Sequence, residues 1–259
     1  MTKRTRIDQL LVERGLAESR SRAQALVMAG LVFSCERRID KPGTTLPPDT
    51  PIEVRGREHP WVSRGGVKLA HALDRFAIDP ADLVCLDVGA STGGFTDVLL
   101  TRGATRVYAV DVGFGQLAWK LRSDPRVVVL ERSNIRAIGM AQVPEPVELV
   151  VCDVSFIGLE LALPAALALT KPGAWLVALV KPQFEAGREH VGKGGIVRDP
   201  EVRSAVCARI VAFVAGQPGW RVLGVTESPI TGADGNVEYL IAADRDRAQV
   251  GDEQPARLM

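Results

Sequence analysis

From residue 65 onward, short apolar runs alternate with helical patterns, and this alternation constrains the fold more than any other feature. The runs are rich in β-branched residues and read LVCLDVG, RVYAVDVG, VVVLE, VELVVCDVS and WLVALVKP. An amphipathic stretch, VKLAHALDRF, precedes them, and VLGVTESPI and VEYLIAAD follow a helical segment near 200–215. Such alternation predicts an α/β fold, a doubly wound Rossmann-like parallel sheet with helices on both faces.

The first sixty residues form a different pattern, that of a small α+β domain. Apolar residues at helical spacing predict a helix that stops at Gly15, and Ser19 or Ser21 caps a second helix that closes at Gly30. Short strands are expected at 31–33 and 52–54. We predict a first domain at 1–58, a linker at 59–64, an α/β domain at 65–245 and a polar tail at 246–259.

Charge is divided unevenly between these domains. Residues 1–64 contain twelve Lys and Arg against eight Asp and Glu, a balance of +4, so the remaining residues carry −3 of the total of +1. Helix amino termini and arginines both favour phosphate, so a basic first domain indicates a nucleic-acid partner. An ordinary solvated surface is the alternative.

A glycine turn follows the first strand of the α/β domain, in LDVGASTGGFTD. Ser91 stands where a dinucleotide-binding loop normally has its second glycine. In an open parallel sheet, ligands bind beyond the carboxyl ends of the strands, and Gly89 and Gly93 allow backbone to approach such a ligand closely.

Two acids indicate which ligand this turn binds. Asp87, just before the turn, disfavours a pyrophosphate and tolerates a cationic amino-acid end. Asp111 ends the next strand and is placed to hydrogen-bond the ribose hydroxyls of an adenosine. The pattern predicts an S-adenosylmethionine site. A nicotinamide-dependent dehydrogenase and a glycine turn in an unrelated α/β protein are the alternatives.

Two lysines and two carboxylates are expected to converge at the same edge of the sheet. Asp153 and Lys181 end two strands, Glu238 opens the last strand, and Lys68 lies on the helix before the first strand. A ribose hydroxyl must lose its proton as it attacks a methyl group. Lysine has an ordinary pKa of about 10.4, which burial and a second ammonium both lower. This set predicts a lysine base, with ordinary surface ion pairs as the alternative.

Methyl transfer to a base is less consistent with these residues. The fourth strand of the domain has no Asn-Pro-Pro-Tyr-like loop after it, as amino-methylating enzymes often have. Methylation at carbon five needs a nucleophilic cysteine at that position. Cys152 precedes Asp153, so it should point the opposite way, into the sheet packing.

Longer motifs carry a family resemblance. RIDQLLVERGLAESRSRAQALVMAGLV resembles the RNA-binding fold of ribosomal protein S4, although FSCERR replaces that family's valine-asparagine-glycine turn. Together with LDVGASTGGFTD, VYAVDVGFGQL, CDVSFI, VKPQFE, VGKGGIVRD and GNVEYL, the chain closely resembles the TlyA family over residues 4 to about 243. These FtsJ-related ribosomal-RNA ribose 2′-O-methyltransferases are often labelled haemolysin A. The resemblance implies methylation of a cytidine 2′-hydroxyl in assembled ribosomes or their subunits.

Three groups of site residues are therefore predicted. The resemblance implies that the family's catalytic Lys-Asp-Lys-Glu set is Lys68, Asp153, Lys181 and Glu238. The residues expected to bind S-adenosylmethionine are Asp87, Gly89, Ala90, Ser91, Gly93, Gly94, Phe95, Asp111, Asn134 and Asp153. The residues expected to bind RNA are Arg4, Arg6, Arg20, Arg22, Arg64, Arg188 and Lys193. The loop 187–197 is expected either to close on substrate or to be a mobile surface loop.

Two rival functions remain open at this level. One is a catalytically inert RNA-binding module, and the other is a membrane-lytic protein, as the haemolysin label suggests. No run reaches the roughly 18 apolar residues of a membrane span, so we expect a cytoplasmic protein that binds ribosomal RNA and no membrane. We expect no obligate protein partner. Cys85 and Cys152 lie in apolar runs, which indicates buried reduced thiols, and the scattered positions of the cysteines and histidines indicate no metal site.

Overall fold

The computed structural model describes residues 4–55, 59–232 and 235–246 of the chain. Its amino-terminal unit contains two helices and short antiparallel strands, which pair as β1 with β4 and as β2 with both β3 and β5. In chain order these elements are β1 (Thr5–Arg6), α1 (Ile7–Glu13), α2 (Arg20–Met28), β2 (Val32–Ser34), β3 (Arg37–Arg38), β4 (Thr45–Leu46) and β5 (Glu53–Val54).

Local signals place both helices of this unit as predicted. Gly15 and Gly30 follow the helices with φ of 64° and 72°, a left-handed conformation that suits glycine. Of the two candidate caps, Ser19 caps α2, because its hydroxyl accepts a hydrogen bond from the Arg22 main chain at 3.2 Å. The sheet is more divided than the two expected strands, since the FSCERR segment forms a hairpin between β2 and β3 with Cys35 at φ 52°.

The second unit alternates helices and strands around one seven-stranded sheet. Its elements are α3 (Gly65–Arg75), β6 (Val84–Val88), α4 (Gly94–Thr101), β7 (Arg106–Val110), α5 (Trp119–Arg122), β8 (Val127–Leu130), β9 (Val147–Cys152), α6 (Leu159–Ala168), β10 (Thr170–Val180), α7 (Pro182–Glu185), α8 (Pro200–Ala215), β11 (Trp220–Glu227) and β12 (Tyr239–Arg245). Short 3-10 helices lie at Ile135–Ala137 and Arg188–His190.

The strand order is β11-β12-β10-β9-β6-β7-β8, and one strand departs from the predicted parallel sheet. Strands β6 to β10 are parallel, whereas β12 is antiparallel to both of its neighbours, β10 and β11. Residues 228–238 separate β11 from β12, and an antiparallel neighbour needs no helical crossover. The amino end of β12 therefore lies at the carboxyl edge of the parallel strands.

Side chains of the central strands alternate between two buried cores, as a two-residue period requires. On one face, Cys85 packs with residues of α3 and α4 such as Leu69 and Leu99. On the other face, Leu86 packs with residues of α6 and α8 such as Leu163. Cys152 is fully buried on this second face, as its position predicted, and burial raises the pKa of its thiol.

The predicted boundaries remain predictions, although α3 begins at Gly65, where the α/β domain was expected to begin. Apart from Asp246, the predicted polar tail lies outside the described residues, as do residues 56–58 at the end of the first predicted domain. Among the helices that the structure describes, none combines the length and the apolar character of a membrane span.

Candidate functional site

The carboxyl edge of the sheet brings together the ends of four segments. Strands β6 and β9 are neighbours, and their registered ends are Val88 and Cys152. Val180, the last residue of β10, is paired with Tyr239, the first residue of β12. Asp153, Lys181 and Glu238 each lie one residue beyond such an end, so the strand order itself places them on one side of the sheet.

The first of two ion pairs joins α3 to this edge. The Lys68 Nζ atom lies 2.5 Å from the Glu238 Oε2 atom, and the two side chains are 8% and 2% exposed. The Gln183 side-chain amide donates to the other Glu238 oxygen at 3.2 Å. Gly232 leaves space for this carboxylate, because a Cβ atom there would overlap Glu238. Two polar contacts therefore hold the carboxylate, and a glycine leaves the space that it occupies.

The second ion pair joins the ends of β9 and β10. The Lys181 Nζ atom lies 2.5 Å from Asp153 Oδ1, and the same amine donates a hydrogen bond to Ser155 Oγ at 3.0 Å. The centroid of the Phe184 ring lies 5.9 Å from this Nζ atom. Both lysines face one cavity of about 450 Å³. The four predicted catalytic residues therefore come together, and each lysine is paired with its own acid.

A second cavity, of about 460 Å³, adjoins the first at the glycine turn. The two cavities share the wall residues Gly89, Ser91, Asp153 and Ser155. Asp111 lies on the wall of the second cavity, and its two carboxylate oxygens accept hydrogen bonds from the main-chain N–H groups of Ser91, at 2.8 Å, and Gly113, at 2.7 Å.

The second cavity fits an adenosine group. Each oxygen of a carboxylate has two lone pairs, so Asp111 keeps acceptor capacity for ribose hydroxyls after its main-chain bonds are made. Apolar side chains of Val112, Ile135 and Phe156 line the same cavity, as a planar base requires, together with the polar residue Asn134. Asn134 also caps a 3-10 helix, where its Oδ1 atom accepts from Arg136 N at 3.1 Å.

Neighbouring protein segments restrict the shape of the glycine turn, in addition to any ligand in the adjoining cavities. Gly89 has φ 85°, and a Cβ atom there would lie 2.5 Å from the carbonyl oxygen of Asp153. Gly93 has φ 98° and abuts Leu117 and Leu121. Ala90, Gly94 and Phe95 line the first cavity, whereas Gly93 is not among the wall residues of either cavity.

Asp87 lies beneath the turn rather than on a cavity wall. Its side chain is fully buried and accepts a hydrogen bond from Thr96 Oγ1 at 2.6 Å. Burial raises the pKa of Asp87 to about 7, and the nearby carboxylates of Asp153 and Asp111 act in the same direction. Asp87 is therefore on the wall of neither of the two described cavities, and its predicted role in cofactor binding stays a prediction.

Arginines of the amino-terminal unit are held by a buried acid. Asp8 is fully buried, and its Oδ2 atom lies 2.9 Å from Arg6 and 3.3 Å from Arg20. Hydrogen bonds from Arg6, Gln24 and Arg20 hold the pKa of Asp8 well below its ordinary value despite burial. Arg4 donates to the main-chain oxygen of Thr45 at 2.6 Å. The two guanidinium groups on Asp8 remain about half exposed, so they can still meet a phosphate.

The other predicted RNA-binding residues lie apart from this cluster. Arg64 lines the first cavity and donates to Thr231 O at 3.3 Å, and Arg22 lines a cavity of about 220 Å³ between α2 and residues 59–64. Arg188 and Lys193 are exposed on the loop 187–197. The Asn236 side chain ties the end of this loop to the segment before Glu238, by accepting from Val197 N at 3.1 Å and donating to Gly195 O at 2.9 Å.

Sequence reasoning missed three polar residues that hold the site. Ser155 and Gln183 contact the ion pairs, and both stand two residues beyond a predicted catalytic residue, in CDVSF and KPQ, where strand-end loops could have been searched. Asp97, on α4, accepts from the main chain of Val62 at 2.8 Å and from Lys120 at 2.8 Å. No sequence signal distinguishes Asp97 from a surface acid.

The sheet order, the single reversed strand and the glycine turn beside Asp111 define a Rossmann-like methyltransferase. The chain belongs to the FtsJ-like methyltransferase family, whose model matches residues 61–245, and the S4 domain model matches residues 5–52. The predicted fold class is thereby confirmed.

Individual relatives confirm the predicted resemblance to the TlyA family. The 16S/23S rRNA (cytidine-2′-O)-methyltransferase TlyA of Mycobacterium tuberculosis is 51% identical over 247 residues, covering 93% of this chain and 90% of that protein. YqxC of Bacillus subtilis, named as an rRNA methyltransferase candidate, is 52% identical over 241 residues, with coverage of 93% and 85%. The solved structure of a hemolysin candidate from Streptococcus thermophilus is 43% identical, with a TM-score of 0.74 and coverage of 95% and 90%.

Proposed function

We propose that this chain is an S-adenosylmethionine-dependent methyltransferase that modifies the ribose 2′-hydroxyl of cytidine in ribosomal RNA. The observation that carries the proposal is the presence of two ion pairs, Lys68 with Glu238 and Lys181 with Asp153, whose two lysines line one cavity. That cavity shares wall residues with the cavity beside Asp111. The base, Lys181, and the acid that would bind adenosine, Asp111, therefore lie in adjoining cavities.

The residues fit the cofactor at both ends of this double cavity. Asp111 and Asn134 would hold the adenosine, and the main chain from Gly89 to Ser91 would lie beside the rest of the cofactor. When bound, S-adenosylmethionine supplies the methyl group: the ribose oxygen forms the new C–O bond, and the C–S bond breaks with its electron pair kept by sulfur, which leaves S-adenosylhomocysteine.

Lys181 moves the proton in this reaction. Its Nζ atom, as a neutral amine, accepts the proton of the 2′-hydroxyl and becomes an ammonium group beside Asp153. Asp153 holds that ammonium, and Lys68 with Glu238 forms the opposite side of the crevice and orients the ribose. General-base catalysis of this kind typically contributes about 10²-fold to 10⁴-fold in rate.

Ribosomal RNA as the substrate is supported by the amino-terminal unit and by the relatives. Arg6 and Arg20 present half-exposed guanidinium groups to solvent, and the Mycobacterium relative is named for both 16S and 23S RNA. We therefore infer that assembled ribosomal subunits are the partner, and that the protein works in the cytoplasm, where ribosomes are.

Two other functions compete with this proposal. An inert RNA-binding module would need these ion pairs for stability alone, and stability does not require both lysines to line a cavity that adjoins Asp111. A membrane-lytic protein would need an inserting segment, whereas the apolar side chains of the central strands β6, β7, β9 and β10 pack in the two cores of the α/β unit.

The test is methylation of purified ribosomal subunits from a strain that lacks this gene. Wild-type protein should transfer labelled methyl groups to a cytidine 2′-hydroxyl, located by mass mapping of both subunit RNAs. Lys181→Ala should lose transfer by at least about 10²-fold and keep cofactor binding measured by calorimetry. The matched control is Lys171→Ala, at the other end of β10, where the lysine pairs with Glu148.

Two results would contradict the proposal. Absence of heat when S-adenosylmethionine is added to wild-type protein would favour the inert module. Full methyl transfer by Lys181→Ala would remove this lysine as the base.

A further inference from the structure

We propose that Ser155 is a positioning residue that aims the lone pair of Lys181 at the substrate hydroxyl. This inference rests on the proposed function and adds a residue to its machinery. Ser155 follows β9 by three positions, is exposed, and lies on the walls of both cavities. It therefore stands where the bound methyl donor and the substrate ribose would meet.

Two oxygen atoms and an aromatic ring lie near the Lys181 amine. Asp153 Oδ1 lies 2.5 Å from Nζ, and Ser155 Oγ accepts a hydrogen bond from Nζ at 3.0 Å. The centroid of the Phe184 ring lies 5.9 Å from the same atom. The amine also lines the cavity of about 450 Å³ that contains Lys68. The amine therefore has two oxygen atoms and a cavity within reach.

The chemistry of a neutral amine turns this arrangement into a function. A neutral amine has two N–H bonds and one lone pair in a tetrahedral arrangement. When one N–H bond is donated to Ser155 and the other lies against the Asp153 carboxylate, the lone pair points away from both oxygen atoms. The hydroxyl proton then passes along that direction to Nζ, and the resulting ammonium keeps both acceptors. With one acceptor alone, the amine can rotate about its Cε–Nζ bond. Its lone pair then points at the substrate hydroxyl in only a few of the possible orientations.

A hydroxyl is well suited to this position. A second carboxylate would also accept an N–H, but an additional negative charge favours the protonated form of a lysine, which has no lone pair. A hydroxyl oxygen accepts the bond without adding charge.

The backbone around Ser155 supports a fixed position for its hydroxyl. The next residue, Phe156, has φ 66°, a left-handed conformation that is unusual for a bulky side chain. Backbone in such regions persists where surrounding structure holds it, and it is common at functional sites. The chain turns immediately after Ser155, so this side chain stays at the end of β9.

The experiment compares Ser155→Ala with Ser155→Thr in the subunit methylation assay. Ser155→Ala should lower kcat by about 10-fold, since it removes one of two anchors of a base worth about 10²-fold to 10⁴-fold. The KM for subunits and the cofactor affinity should stay within about twofold of the wild-type values. Ser155→Thr keeps the hydroxyl and should restore kcat to within about threefold. Ser123→Ala is the matched control, because this exposed serine bonds only main-chain oxygens of α5 in the hydrogen bonds the structure gives it.

A second readout needs neither cofactor nor RNA. In spectra of lysine side chains of the free protein, the Nζ–H protons of Lys181 should exchange with water faster in Ser155→Ala than in wild type, and Ser155→Thr should again restore the wild-type rate. This separates a positioning role from a contact with RNA, which would leave the free protein unchanged.

The outcomes distinguish this inference from the proposed function. An inactive wild-type protein would overturn the proposed function. An active wild type with unchanged kcat in Ser155→Ala would overturn the inference alone, and so would a raised KM with unchanged kcat. A Ser155→Thr variant as slow as Ser155→Ala would overturn it as well, because the hydroxyl would then not be the group that matters.

Discussion

Breaking the buried ion pair between Lys68 and Glu238 should make the protein unfold more readily, and it should also inactivate the protein. The variant is Lys68→Met, which keeps an unbranched side chain of nearly the same length and removes its charge. The side chains of Lys68 and Glu238 are 8% and 2% exposed, so the remaining carboxylate has little access to water. Its other polar contact is the Gln183 amide at 3.2 Å, which carries no charge.

The size of the effect follows from this burial. Removing one partner of a buried pair costs about 3–5 kcal/mol in the free energy of unfolding, because an uncompensated charge is left behind. At roughly 2–4 °C per kcal/mol for a chain of this size, the Tm should fall by roughly 6–20 °C. Thermal unfolding followed by circular dichroism measures this shift, and calorimetry at low temperature shows whether the folded variant still binds cofactor.

Two companion variants make the reasoning refutable. The double variant Lys68→Met with Glu238→Gln has no isolated charge, so it should recover most of the decrease in Tm while remaining inactive. Lys181→Met leaves Asp153, whose side chain is 21% exposed, and should cost less stability. A Tm of Lys68→Met equal to that of wild type, or a double variant no more stable than the single one, would refute the account of this pair.

The remaining predictions concern cofactor, pH and RNA. Asp111→Asn removes one of the two carboxylate acceptors and should weaken S-adenosylmethionine binding at least about tenfold in calorimetry, since hydrogen bonds to charged groups contribute about 1.5–3 kcal/mol; unchanged affinity would exclude Asp111 from the cofactor site. Burial raises the pKa of Asp87 from 3.8 to about 7, so the folded state binds a proton that the unfolded chain has released, and stability falls as pH rises through that window. Asp87→Asn should lack this fall when urea unfolding is compared near pH 4.5 and pH 7.5 (about the two ends of the window), and parallel pH profiles of the two proteins would contradict the raised pKa. Arg20→Ala with Arg22→Ala should weaken subunit binding and make its dependence on log salt shallower, by about one unit for each phosphate that the variant no longer neutralises; an unchanged slope would place the RNA face elsewhere.

The succession of elements was predictable from the sequence because it depends on local properties. Apolar β-branched runs became β6 to β10, the segment near 200–215 became α8, and Gly15 and Gly30 ended α1 and α2. Parallel strands share one carboxyl edge, so the positions of Asp153 and Lys181 at strand ends were enough to bring them together.

Other features of the site depend on contacts between distant segments. A sequence does not state whether β12 runs with or against its neighbours, yet this direction brings Glu238 to the edge where Lys68 lies, 170 residues away along the chain. The burial of Asp87 could not be predicted from the sequence either. The motif alone places Asp87 beside a ligand, whereas in the structure the turn above it and Thr96 enclose its side chain.

The sequence by itself therefore determined which chemical groups lie at the ends of which elements, since helix periods, strand periods and glycine turns are set by neighbouring residues. Tertiary structure alone decided that Lys68 pairs with Glu238 and that Ser155 is a second partner of Lys181. The physical reason is that the pairing of charges depends on distances of a few ångströms between elements, and those distances exist once the sheet order and the packing of α3 against it are established.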